Sequence, residues 1–250
     1  MSIVFDWHQG TSPLLVTIPH DGRRIPPRIK DRMTEDGTAI PDTDWHVRKL
    51  YDFAPLSGIS VLEAKFSRYV VDLNRPADDH ALYEEHVKTG LFPTQTFDGR
   101  QIYREGEVVS ERQRERRLQR YWRPYHEQVA EALVRIRDHF GYALLWDAHS
   151  IRSELPRLFE GELPDLNIGT NDGRSCPAAV QAAVAKIAEA SPYSSAVNGR
   201  FKGGYTTRHY GNPDEGIYAI QLEIAQRAYM DEDSLRYQSA RAAKLRDCLS

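Results

Sequence analysis

The chain has 250 residues, of which 40% are apolar and 28% charged, with a formal net charge of −3. That composition fits an ordinary globular chain long enough to bury a large core, and it excludes disordered and collagen-like classes. The near-neutral balance gives no bias toward nucleic acid or an acidic membrane surface, and two cysteines, Cys176 and Cys248, are too few for a disulfide framework or a cysteine zinc site.

Short apolar runs alternate with helical patterns along the chain. LLVTI (14–18) is the first predicted strand, followed by TDWHVRKLYDFA, where Thr43 is the expected helix cap and Val47, Leu50, Tyr51 and Ala54 repeat at helical spacing. GISVLEA (58–64) and YVVDL (69–73) read as two further strands. A long amphipathic pattern fills roughly 110–140, with Leu118, Trp122, Tyr125, Val129, Leu133, Ile136 and Phe140 in register, Pro124 expected to bend it and Gly141 to end it. YALLWDA (142–148) is the next strand; a helix over about 177–190 follows, with Ser175 as its expected cap. IYAIQLE (217–223) is the last strand, and a helix is predicted after Asp231. No repeat or Gly/Ser linker divides the chain, so residues 1–250 are expected to form one domain. Near-continuous apolar strands separated by helices predict an α/β fold of three layers: a mostly parallel or mixed sheet with helices on both faces. No apolar run approaches the roughly 20 residues needed to span a bilayer. The chain opens without a basic-then-apolar leader pattern, so a reducing cytoplasm is the expected setting.

In open α/β sheets the ligand site lies beyond the carboxyl ends of the strands. LLVTIP leads to His20, YVVDL to Asn74 and Arg75, YALLW to Asp147 and His149, and IYAIQ to Glu223. Each alone also fits a hydrogen-bonded loop residue. Together, two histidines and a carboxylate make an open zinc set that leaves one position for water, and a second carboxylate is suited to handle a proton. Asp44, in "IPDTDWHV" with Asp42 and His46, fits both a metal ligand and a carboxylate placed for helix capping. "NGRFKGGYTTRHYG" (198–211) is glycine-rich and basic. It fits an anion-binding loop carrying Arg200, Lys202, Arg208 and His209, and equally a surface hairpin with a Gly-Gly turn.

Six segments taken in order, "LLVTIPHDGRRIP", "DTDWHVRKLYDF", "VVDLNRP", "LLWDAHSI", "GRFKGGYTTRHYG" and "QLEIAQRAYM", resemble the N-formylglutamate amidohydrolases (deformylases) over nearly the whole chain. The resemblance implies a zinc-carboxypeptidase-like, phosphorylase/hydrolase-type α/β fold. It also implies hydrolysis of N-formyl-L-glutamate to formate and L-glutamate late in histidine degradation. By the same resemblance His20 and His149 match zinc-ligand positions, and Asp44 takes the acidic ligand's place for one Zn²⁺ or another divalent ion. Related metallopeptidases carry that acid three residues after the first histidine, where this chain has Arg23. Glu223 stands where the family's catalytic glutamate is expected. "RYVVDLNR" is similar to a stretch of aspartoacylases, which implies that Asn74 and Arg75 bind a substrate carboxylate and that Arg68 faces the reacting carbonyl. The partner is then a small dianion, for which Arg75, Arg200 and Arg208 are suited because a guanidinium meets a carboxylate bidentately; Lys202 and His209 lie close by in sequence. Asp147 is expected either to steady a ligand through a hydrogen bond or to orient a loop.

Two rivals stand beside this reading. The same metal set serves a deacylase or peptidase acting on another N-acyl amino acid. "SERQRERRLQRYWRP" places six arginines at 112, 114, 116, 117, 120 and 123, a pattern that grips nucleic-acid phosphates or simply forms a solvated helix face interrupted by Glu111 and Glu115. No G-x-S-x-G elbow is present, which removes the serine-hydrolase class.

Overall fold

The computed structural model describes residues 4–80 and 89–250. Among these, seven strands form one sheet: β1 (Phe5–His8), β2 (Leu14–Ile18), β3 (Ser60–Ala64), β4 (Ala143–Ile151), β5 (Leu166–Gly169), β6 (Ser195–Val197) and β7 (Ile217–Ala225). The helices are α1 (Pro27–Lys30), α2 (Glu35–Ala39), α3 (Val47–Leu50), α4 (Glu111–Arg117), α5 (Arg123–Phe140), α6 (Ala178–Ala190), α7 (Tyr205–Tyr210) and α8 (Ser239–Leu249). The spatial strand order is β1-β3-β2-β4-β7-β5-β6. The four strands β3, β2, β4 and β7 are parallel, while β1 and β5 join them antiparallel, so the sheet is mixed.

Strand side chains alternate between faces, and the two faces feed two cores. Leu15, Leu145 and Ala219 pack on one side with Tyr125, Val129, Leu133 and Ile136 of α5. Val16, Ile18, Ile220 and Leu222 pack on the other with Val47 and Leu50 of α3, Ala188 of α6, and Ala242 and Leu245 of α8. This is the predicted three-layer α/β arrangement.

Several local expectations change. Tyr69–Leu73 is buried but is not a strand: its chain runs irregularly, and side-chain donors rather than a neighbouring strand take several of its carbonyls. Helix α3 is a single turn entered through His46 in a left-handed conformation (φ 68°), and the Thr43 hydroxyl donates to Ile40 O instead of capping it. Ser175 likewise donates to Ala219 O and leaves α6 to begin after Pro177. The last helix starts at Ser239, after a two-stranded ribbon of Met230–Asp231 with Arg236–Tyr237.

The long helical pattern is interrupted in kind. Between α4 and α5, Leu118–Trp122 forms a π turn in which Arg123 N–H bonds Leu118 O, five residues back. Pro124 falls in the first turn of α5, directly after that π turn, and Gly141 closes α5 at φ 83° as expected. The arginine cluster on this helix is mostly the solvated face expected, with Arg112, Arg116, Arg120 and Arg123 exposed. Arg117 is buried, Arg114 pairs with Asp79, and Arg123 pairs with Glu115. Among the described residues, no helix is long and apolar enough to cross a membrane.

Candidate metal centre and active site

The register of β4 against β7 builds the site. Leu145 pairs with Ala219, Asp147 with Gln221, and His149 with Glu223, so one sheet face changes from apolar to polar toward its carboxyl end. Glu223 and His149 therefore stand side by side on adjacent strands. His20 arrives two residues beyond β2, the neighbour of β4 on the other side. Asp44 is delivered by the turn before α3, where its N–H bonds His20 O at 3.1 Å. Its carboxylate does not cap that helix. It turns inward, with Oδ2 2.9 Å from His149 Nδ1, 3.7 Å from His20 Nδ1 and 3.1 Å from the Ser150 N–H that donates to it.

His20, Asp44 and His149 each offer a ligand atom within 4.8 Å of the others, and all three residues are buried. Both histidines present Nδ1 inward because Nε2 is engaged elsewhere. His20 Nε2 lies 2.8 Å from Asp72 Oδ1, and His149 Nε2 lies 2.9 Å from Asp147 Oδ2. A carboxylate behind each imidazole fixes its orientation and raises its basicity. Asp147 is in turn held by the Thr17 hydroxyl, which donates at 2.7 Å, and Asp72 by Arg68 Nη2 at 2.6 Å and Asn74 N–H at 2.8 Å. Two imidazoles, one carboxylate and a supporting acid behind each ring fit a divalent ion of zinc's preferences.

The charges are balanced by contact rather than by water. Burial disfavours protonated His149, yet Asp147 and Asp44 outweigh it and hold the ring well above the ordinary imidazole range in the metal-free site. Burial opposes ionised Asp72 too, and the Arg68 guanidinium and His20 overcome it. Glu223 has no such rescue: burial pushes its carboxyl up to about 8, only partly opposed by His149. Gln221 orients it, donating from Nε2 to Glu223 Oε2 at 3.3 Å while Gln221 Oε1 accepts from Gly204 N–H at 2.7 Å.

A cleft opens over these groups. Arg68, Asn74, Arg75 and Arg200 contribute to its wall, and Phe97, Ile151, Leu158 and Phe201 supply an apolar side. Arg68 lies over the Phe97 ring at 4.8 Å. Arg75 donates to Asn74 O and Thr89 O at 2.8 Å each. Arg200 donates to Leu158 O at 2.6 Å. Asn74 is engaged from both ends: Oδ1 accepts from Thr206 N–H at 2.8 Å, and Nδ2 lies 3.1 Å from His149 Nε2.

Three residues expected to bind substrate stand apart from this cleft. Lys202 pairs with Asp172 at 3.1 Å, Arg208 Nε donates to Gly203 O, and His209 is exposed and stacked on Tyr205. The cause is local: 198–211 is no hairpin, because the chain enters α7 after Gly204 and the helix carries Arg208 and His209 away. Asp72 and Gln221 were missed by sequence reasoning. For Asp72 a signal existed, since a carboxylate inside the apolar run YVVDL is costly to bury without a specific partner.

Gly204 faces Asn74 so closely that a Cβ would sit 2.3 Å from Asn74 Nδ2. Asn74 is pinned and cannot yield. Gly204→Ala is expected to destabilise by about 1–3 kcal/mol, lowering Tm by several degrees in a thermal melt, and to displace Asn74 from His149.

Residues 12–230 match the N-formylglutamate amidohydrolase family. The chain is 52% identical over 235 residues to an N-formylglutamate deformylase of Pseudomonas aeruginosa, covering 94% of this chain and 88% of that protein. A Pseudomonas putida N-formylglutamate deformylase is 50% identical over 233 residues, covering 93% and 87%. Among solved structures, an N-formylglutamate amidohydrolase from Ralstonia eutropha JMP134 superposes with a TM-score of 0.83 at 26% identity, over 98% of this chain and 94% of that one. The gene product Atu2144 of Agrobacterium tumefaciens shares the fold, with a TM-score of 0.74 at 18% identity over 98% and 93%. With a family match across most of its length and two relatives at half identity, the chain belongs to the N-formylglutamate amidohydrolase family.

Proposed function

We propose that this protein hydrolyses N-formyl-L-glutamate to formate and L-glutamate, using one divalent ion, zinc by preference, held by His20, Asp44 and His149. The observation that carries the reading is the convergence of those three ligand atoms beside Glu223, each histidine backed by its own carboxylate. A divalent ion in such a set supplies Lewis acidity, polarising a carbonyl oxygen and bringing the pKa of a water toward about 7.

The chain's own groups divide the remaining work. Glu223 takes a proton from the attacking water, whose oxygen bonds the formyl carbon. The C–N bond then breaks, and Glu223 returns the proton to the departing glutamate nitrogen. Burial raises the proton affinity of this carboxyl, which favours its holding the proton between the two halves of the transfer. Arg68, fixed by Asp72, stabilises negative charge on the formyl oxygen. Arg75 and Arg200 meet the two substrate carboxylates, since both line the cleft and charged forks are what a dianion requires. Asn74 helps by holding the start of α7 in place. Residues 1–250 serve as one catalytic domain, the cytoplasm and late histidine degradation are the implied setting, and unpaired Cys176 and Cys248 accord with a reducing compartment.

The test is formate release from N-formyl-L-glutamate by metal-loaded protein, with N-acetyl-L-glutamate as comparison. Formate release with little turnover of the acetyl compound is expected; preference for the acetyl compound would move the reading to another N-acyl amino acid. Arg75→Ala is expected to raise KM at least about tenfold with a smaller change in kcat. An unchanged KM would remove Arg75 from carboxylate binding.

A further inference from the structure

We propose that the π turn at Leu118–Trp122 aligns Arg117, Trp122 and His126 into one row of hydrogen-bond donors that sets the position of the Asn74–Arg75 pair in the cleft. Trp122 and His126 then act as positioning residues for the hydrolysis. The inference rests on the reading of Arg75 as a substrate-carboxylate partner.

The segment Tyr69–Arg75 carries Asp72, Asn74 and Arg75, yet it belongs to no sheet. A buried irregular backbone must find donors for its carbonyls one at a time, and each one left unmade is costly. Here the donors are side chains. Tyr103 OH donates to Tyr69 O at 3.2 Å and Arg117 Nη1 to Val70 O at 3.1 Å. His126 Nε2 donates to Leu73 O and Trp122 Nε1 to Arg75 O, both at 2.9 Å. Arg117 also donates to Tyr103 OH at 2.9 Å, joining the two donors at the start of the segment.

Three of the four donors come from one helical rod, at positions 117, 122 and 126. In an uninterrupted α-helix, 3.6 residues per turn would leave 117 and 122 about 140° apart around the axis. The wide turn absorbs one extra residue, so the pair behaves like an i, i+4 pair, about 40° apart, and 122 to 126 repeats that step. The three side chains then form a single stripe along the segment. The interruption of the helix has a purpose in this geometry.

The row also reaches helix α7. Tyr210 OH lies 2.9 Å from His126 Nδ1, and the Tyr205 ring sits 5.3 Å from that of His126 and 5.8 Å from that of Trp122. Helix α7, which bears Tyr205 and Tyr210, donates Thr206 N–H to Asn74 Oδ1. Burial pushes His126 down to about 3, so it is neutral at working pH, with Nε2–H given to Leu73 O and Nδ1 accepting from Tyr210. Its ring packs at 4.0 Å on Trp122, which fixes both donors in one stack.

Three variants test the proposal: Trp122→Phe and His126→Leu, which lose a donor, and His126→Gln, which keeps one. Each is compared with wild type for KM and kcat on N-formyl-L-glutamate and for amide hydrogen exchange over residues 69–75. Trp122→Phe and His126→Leu are expected to raise KM about tenfold, with kcat within about threefold, and to speed exchange over 69–75 about tenfold. His126→Gln should recover most of both effects. Unchanged KM and exchange in folded variants, or a Gln variant no better than Leu, would overturn the proposal. Should His126→Leu fail to fold, Trp122→Phe carries the same two readouts. If wild type released no formate from N-formyl-L-glutamate, the substrate reading would fall, and the exchange data alone would still decide whether the row holds the segment.

Discussion

Glu223→Gln is expected to lower kcat by at least about a hundredfold while the protein keeps its metal. The substitution preserves shape and removes only the ability to carry a proton. Glu223 is not one of the three converging ligands, so their geometry is untouched, and Gln221 can still meet the new amide oxygen. Formate release measures the first half of the expectation and elemental analysis the second. Near-normal turnover would take Glu223 out of the chemistry. The same variant has a signature in the metal-free protein. Burial raises the Glu223 carboxyl from an ordinary 4.5 to about 8, so the folded state holds a proton that the unfolded chain has released. The stability Glu223 contributes is fully present below about 4.5 and is lost as pH rises through about 8. Wild-type stability measured against the Gln variant should therefore decline across that window, in chemical denaturation of the metal-free proteins.

Asp44→Ala is expected to weaken zinc binding by more than about a hundredfold, measured by competition with a chromophoric chelator. Loss of a residue that only steadies a ligand costs about ten- to hundredfold, which is the expectation for Asp72→Asn behind His20. The two variants thus separate a ligand from its support. Asp44 also accepts the Ser150 N–H and stands opposite both Nδ1 atoms, so its removal leaves His20 and His149 without the third donor that closes the set. Wild-type affinity in Asp44→Ala would transfer the acidic ligand role elsewhere and reopen the question posed by Arg23.

The parts of the molecule legible in its sequence are those where one physical cause dominates. Strand β2 is read to the residue and β4 and β7 nearly so, because a strand buried on both faces is an apolar run with few alternatives. His20, His149 and Glu223 follow from those strands. YVVDL misleads because apolar content reports burial and not pairing: Val70 and Val71 are buried, but Val70 O is met by the Arg117 side chain and not by a neighbouring strand. Strands β5 and β6, of four and three residues, are too short to show a period. Arg208 was chosen for its guanidinium and His209 for its closeness in sequence, and a helix of one and a half turns sets where both point, while Lys202, before that helix, pairs with Asp172. Asp72 was hidden by its surroundings, since its partners come from residues 20 and 68 and only the fold brings His20 to it.

The pairing of residue 149 with residue 223 across a parallel ladder has a consequence for how such an enzyme diversifies. The span between Glu223 and the His149 ring is set by main-chain hydrogen bonds at the centre of the sheet, where strands cannot slip without exposing a core. Apolar wall residues such as Phe97, Leu158 and Phe201 come instead from connecting stretches that tolerate insertion and exchange. Descendants of this architecture are free to remodel what they admit, because the hydrolytic machinery is inherited with the scaffold itself.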